Sequence, residues 1–130
     1  MNLSNKKTIH SYKDLIVWQR SIELVTEIYK LTANFPGSEL YGLTSQSRRS
    51  AVSIPTNIAE GRYRGTKKDF LQFLRIAYSS GAELETLIII AKKLPATETL
   101  NFDRADSLLE EVMKMLNVMI RNCNPNKLKS

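Results

Sequence analysis

The sequence holds one cysteine, Cys123, and one histidine, His10. A single cysteine excludes an intrachain disulfide, and Cys123 reads as a small residue on an apolar helical face. A single histidine, placed before the first predicted helix, excludes the paired Glu-x-x-His motifs of di-iron bundles. No metal and no cofactor is expected. No run of about 18 apolar residues occurs, so no membrane-spanning helix is expected. The opening Met1-Asn-Leu-Ser-Asn-Lys-Lys7 lacks the apolar centre of a signal peptide, which makes a cytoplasmic setting the expectation. Gly-x-Ser-x-Gly and Gly-x-x-x-x-Gly-Lys are both missing, as are strand signals, repeats and low-complexity tracts. The best acidic pair, Glu83 and Glu85, points in directions roughly 160° apart on a helix and cannot share a proton-transfer site. No enzyme and no small-molecule substrate is expected. Glu83 is instead expected to pair with Arg48 or Arg49 inside a bundle.

What is present suits one soluble domain of 130 residues, 42% hydrophobic and 25% charged. The net charge is +6. It is unevenly placed. Residues 1–13 carry three lysines and no acid, and residues 48–69 carry six basic and two acidic side chains. Clusters of this kind suit a polyanion such as RNA or DNA.

Helical periodicity organises the chain. Residues 1–11 read as a flexible arm, 12–123 as the bundle domain and 124–130 as a disordered tail. Ser11, with Asp14 three residues on, is expected to cap a first helix running to about Asn34. Its apolar stripe reads Leu15, Trp18, Ile22, Val25, Ile28 or Tyr29, and Leu31 or Thr32, with Trp18 as a core residue. Phe35-Pro36-Gly37 stops it, and residues 38–43 form a short connection. The third helix, Lys67 to about Leu94, carries a heptad seam of Phe70, Leu74, Ala77, Gly81, Leu84, Ile88 and Ala91. Phe73, Leu87, Ile89 and Ile90 widen its apolar surface beyond one stripe, which argues for burial against another subunit. A fourth helix follows the loop 95–101, capped by Asn101 or Asp103. Its apolar face is Leu109, Val112, Leu116, Met119 and Cys123. The whole predicts an all-α, antiparallel up-and-down four-helix bundle.

The second helix, within residues 44–69, is the unusual one. Leu43, Ser47, Ala51, Ile54, Ile58 and Gly61 share a small apolar side. Gln46, Arg49, Ser53, Asn57, Glu60 and Arg64 share a polar stripe suited to inter-helix or oligomer contacts, with Glu83 facing it. Arg49 and Glu60 are expected to pair across a subunit interface. Pro55 removes one backbone hydrogen bond at a cost of about 3 kcal/mol and is expected to kink the helix, with Ser50, Ser53 and Thr56 able to satisfy freed groups. Gly61 and Gly65 both read as stop signals, and Thr66 with Asp69 as a cap for the third helix. Arg48, Arg49, Arg62, Tyr63, Arg64, Thr66, Lys67 and Lys68 form the candidate nucleic-acid-binding set. The cations would meet phosphates, Tyr63 would stack on a base, and the helix start at Thr66 would favour an anion.

Several segments carry a resemblance: Tyr12-Lys-Asp-Leu-Ile-Val-Trp-Gln19, Tyr41-Gly-Leu-Thr-Ser-Gln46, Arg48-Arg49, Val52-Ser-Ile-Pro-Thr-Asn-Ile-Ala-Glu-Gly61, Gly65-Thr-Lys-Lys-Asp-Phe70 and Ala82-Glu-Leu-Glu-Thr86. Over roughly residues 10–123 the chain resembles the bacterial four-helix-bundle family named for proteins encoded in intervening sequences of 23S rRNA genes. That family is similar to accessory proteins of diversity-generating retroelements. These are basic pentameric barrels that work with a reverse transcriptase and nucleic acid. The resemblance implies a homopentamer. The expected function is a non-enzymatic, basic, oligomeric bundle that binds nucleic acid, RNA before DNA, or an RNA–protein machine. The alternative is an oligomeric adaptor that holds a protein partner without nucleic acid.

Overall fold

The structure is a computed structural model that describes residues 11–123. The expectations for residues 1–10, His10 among them, and for residues 124–130 lie outside that range. Four helices make up the described chain: α1 (Ile16–Thr32), α2 (Ser45–Arg64), α3 (Lys67–Lys93) and α4 (Asp103–Cys123). No strand occurs among the described residues.

Contacts between the helices fix their order and sense. Arg20 meets Glu111 at 3.0 Å and Glu23 meets Arg104 at 3.1 Å, so α1 and α4 run in opposite directions. Ser53 lies 2.7 Å from Ser80, and Gly61 packs on Phe70 and Phe73, so α2 and α3 do the same. Gly81 against Met113 and Lys92 beside Asp106 give the same relation for α3 and α4. The core is the apolar side of each helix: Val17, Leu24 and Ile28; Ala51, Ile54 and Ile58; Leu74, Ala77, Leu84 and Ile88; Leu108, Val112 and Leu116.

Helix α1 differs from the expected stripe. A 3-10 turn, Tyr12–Asp14, precedes it, and the Ser11 hydroxyl accepts from the Lys13 amide rather than from Asp14. Its buried positions are Val17, Ser21, Leu24, Ile28, Leu31 and Thr32, whereas Ile22 is 37% exposed. A polar residue in the middle of the seam hid it. Ser21 is fully buried because its hydroxyl donates to the Trp18 carbonyl at 2.7 Å, which satisfies the polar group locally. Trp18 is half-buried at the core edge, in an edge-to-face contact with Tyr12 at 5.4 Å.

Helix α2 continues through Pro55 as one element. Carbonyls just before the proline gain side-chain donors. Thr56 Oγ1 donates to Val52 and Ser53 carbonyls at 3.0 and 3.1 Å, and Asn57 Nδ2 donates to the Ser53 carbonyl at 2.7 Å. Ser53 does not serve its own helix in this way. Its hydroxyl joins Ser80 of α3 and Asn57. The loop after α3 is pinned by Thr97, which is fully buried and donates to the Ala91 carbonyl at 2.6 Å. Asn101 caps the start of α4 by accepting from the Asp103 amide at 2.9 Å.

Gly61 is not a stop. It lies inside α2 and is buried, and a Cβ added there would come within 2.6 Å of Phe73 Cβ and 3.4 Å of the Phe70 Cα. Those atoms are tied to the α3 backbone. Gly61→Ala should therefore destabilise by about 1–2 kcal/mol, because overpacking outweighs the roughly 1 kcal/mol gained in helix propensity. Gly81→Ala should be neutral or slightly stabilising. Its only obstacle is the flexible end of Met113, which borders an open cleft between α3 and α4. Urea melts of the two variants would check this; equal losses would contradict it.

Candidate nucleic-acid interface

The turn between α2 and α3 gathers most of the predicted set. Arg64 ends α2, Gly65 reverses the chain with φ at 86°, and Thr66 in extended conformation opens α3. The left-handed φ is what a glycine there permits. Lys67 and Lys68 are exposed and make no ion pair among the described residues. Tyr63 is 86% exposed, its ring offered to solvent among these cations. Arg62 is half-buried. Arg64 is half-exposed and partly engaged: it meets Glu60 at 3.0 Å, and its guanidinium sits 5.0 Å over the Phe73 ring. This arrangement presents rotatable ammonium and guanidinium donors around an exposed aromatic, a surface that can meet phosphate and stack on a base.

Thr66 caps α3 with Asp69 as their spacing implies, and that cap takes up the helix start that was expected to favour a phosphate. The Thr66 hydroxyl accepts from the Asp69 amide at 3.1 Å and donates to the Asp69 carboxylate at 2.9 Å. The start of α3 thus already carries an anion where a phosphate was expected to sit. Anion contact at this end falls to the side chains.

Arg48 and Arg49 are not brought to the turn. Arg49 precedes Arg62 by 13 residues on the same helix, which separates them by roughly 20 Å at about 1.5 Å per residue. Arg48 is half-buried. Its Nε donates to Thr32 Oγ1 at 2.8 Å, and its guanidinium lies 4.5 Å over the Tyr29 ring. Arg49 is exposed and has no hydrogen bond or ion pair among the described residues. Glu83 is also exposed and pairs with neither arginine, contrary to expectation. Arg48 is taken up by α1, and Glu83 lies on the solvent side of α3. Within the polar stripe, Ser53 reaches Ser80 of α3, Asn57 donates to Ser53 on its own helix, Gln46 is exposed, and Glu60 pairs along its own helix with Arg64.

Sequence reasoning missed the surroundings of Arg48 and Arg49. Tyr29, Leu40, Tyr41 and Thr44 line one groove with them. The readable signal was an aromatic residue, Tyr41, in a connection next to an arginine pair. No group of three His, Cys, Asp or Glu side chains that could hold a metal occurs among the described residues. No helix of the described residues is long and apolar enough to cross a membrane.

A family model described as 23S rRNA-intervening sequence protein matches residues 13–118. The chain belongs to this family. The match takes in α1, α2 and α3 whole and most of α4, so the turn and the groove both lie inside it. The family's description names an rRNA setting and no catalytic activity. This family member is similar to a solved structure from Bacteroides thetaiotaomicron, a protein with unknown function from the S23 ribosomal protein family. The two are 26% identical, with a TM-score of 0.67 over 81% of this chain and 98% of the other. No curated protein matches the chain.

Proposed function

We propose that the protein is a non-enzymatic, basic, homo-oligomeric bundle of the cytoplasm that binds nucleic acid, RNA in preference to DNA, through the α2–α3 end. The observation that carries this reading is the gathering of Arg62, Arg64, Lys67 and Lys68 at the α2–α3 turn, next in the chain to the exposed Tyr63. The family's rRNA description supports RNA as the polymer. Exposed Ile76, Ile89 and Ile90 on α3, with Leu94 just after it, support association between copies, and the number five comes from the resemblance to retroelement accessory proteins.

The test is a salt titration of binding to a labelled single-stranded RNA. Four phosphate contacts give a log–log slope of about −3, since each contributes about 0.7 on a single strand. A flat salt response would contradict the reading.

A second reading, an adaptor holding a protein partner, is favoured by one observation. Leu15, Ile16, Val17, Met115, Val118 and Met119 line an almost wholly apolar groove between the start of α1 and the end of α4. Ile16 is 60% exposed and Val118 45%. This reading predicts a copurifying protein and no salt-sensitive RNA affinity.

A further inference from the structure

At the opposite end of α2 from the turn, the connection Leu40–Thr44 carries an aromatic ring outward beside two arginines. Tyr41 is 91% exposed. It lines a groove with Tyr29, Leu40, Thr44, Arg48 and Arg49. Four features of this groove favour a ligand that joins a planar ring to an anion.

The first is a fixed cation. Arg48 is held by the Thr32 hydroxyl at 2.8 Å, by the Tyr29 carbonyl at 3.4 Å and by the Tyr29 ring. These contacts use Nε and Nη2 and leave Nη1 without a partner. A guanidinium held this way loses little freedom on meeting an anion. The second is Arg49, exposed and with every donor unspent among the described residues. The third is Thr44. It is only 4% exposed, and its hydroxyl has no hydrogen-bond partner among the described residues. A buried hydroxyl without a partner is uncommon and is satisfied when a ligand supplies one. The fourth is the sign of the charge. No carboxylate lines the groove. The nearest acid in sequence, Glu39, accepts the Leu43 amide at 3.1 Å. The α2–α3 turn, by contrast, holds Glu60 and Asp69 among its cations.

We infer that this groove is a nucleotide site: Arg48 and Arg49 take a phosphate, and the base stacks on Tyr41. The site lies roughly 20 Å along α2 from the turn. It rests on the nucleic-acid reading for its ligand class, but none of its residues belongs to the turn. The nucleotide comes either from a strand or from the free pool, because a phosphate and a base are common to both.

The experiment titrates the intact protein with a short fluorescein-labelled oligouridylate by anisotropy and with UMP by calorimetry. Tyr41→Ala and Arg49→Ala remove exposed side chains, so the fold is not at risk. Tyr41→Ala should weaken oligouridylate binding by about 5- to 150-fold with an unchanged salt slope, the mark of lost stacking. Tyr41→Phe should restore it. Arg49→Ala should lower the magnitude of the salt slope by about 0.7, the mark of one lost phosphate contact.

The outcomes separate the two sites. Loss in the Tyr41 variant, with unchanged binding when the turn cations are removed, leaves the groove standing and rejects the turn. Wild-type affinity in both groove variants overturns the inference and leaves the turn untouched. Binding of UMP without the oligomer makes the free nucleotide the source. A changed mass in light scattering with unchanged oligouridylate affinity overturns the inference and assigns the groove to a second copy of the chain. If the wild type binds neither probe, the groove and the turn fall together.

Discussion

Replacing Arg62, Arg64, Lys67 and Lys68 together by alanine should weaken RNA binding about a hundredfold at physiological salt. Each lysine or arginine on a single strand releases about 0.7 of a counterion, and four of them account for that loss near 0.15 M salt. The slope of log affinity against log salt should flatten by about 3. The fold should survive. Lys67 and Lys68 are exposed, and the pair between Arg64 and Glu60 is half-exposed at both partners. Pairs of that kind contribute about 0–1 kcal/mol. A variant that melts like the wild type and binds like the wild type would reject the turn as the site. Glutamate in place of alanine should deepen the loss, because repulsion is added to the missing attraction.

Leu84→Ala should lower stability by about 3 kcal/mol and the melting temperature by about 10 °C. Leu84 is fully buried in the α3 seam, so truncation leaves a cavity that four packed helices cannot easily close. Ile90→Ala is the informative partner. Ile90 is 42% exposed in the single chain, and truncation there should change the chain's own stability by about 0.5 kcal/mol or less. If Ile90 packs against another copy, the wild-type melt should rise with protein concentration, and the truncation should lower it most at low concentration. Chemical denaturation at two concentrations distinguishes these. Equal losses at Leu84 and Ile90, independent of concentration, would contradict the assignment of core and outer face.

Much of the fold was readable from periodicity. On α3 the spacing gives a seam of Phe70, Leu74, Ala77, Gly81, Leu84, Ile88 and Ala91, and all are buried except Phe70, which is partly buried near the start of the helix. On α2, Ser47, Ala51, Ile54 and Ile58 were read as one side, and they too are buried. Small and aliphatic residues at steps of three and four leave few alternatives. α1 was harder. It has apolar residues on nearly all sides, and the seam passes through Ser21, which only the local bond to Trp18 makes burial-compatible. Gly61 and Gly65 show the limit of single letters. One gives room for Phe70 and Phe73 inside a helix, the other turns the chain with a positive φ, and sequence alone assigns both the same role.

The site was readable in its charges and not in their commitments. Lys67 and Lys68 are as exposed as their place in the first turn of α3 implies. The bond of Thr66 to Asp69 is local and follows from their spacing, whereas Arg48 spends two of its nitrogens on α1, a partner that lies next to it only once the helices are packed. Glu83 went unpaired for the converse reason. Helical spacing placed it at a plausible level on α3, but Arg48 turns toward Tyr29 and Thr32 instead.

The most direct test of a basic oligomer that carries nucleic acid is light scattering on the purified protein, with absorbance at 260 and 280 nm read across the same peak at low and high salt. The account predicts a mass several times that of one chain and a raised 260/280 ratio at low salt. High salt should return the ratio to that of protein alone while the oligomer persists. A peak at 14.8 kDa with a protein-like ratio at both salts would contradict it.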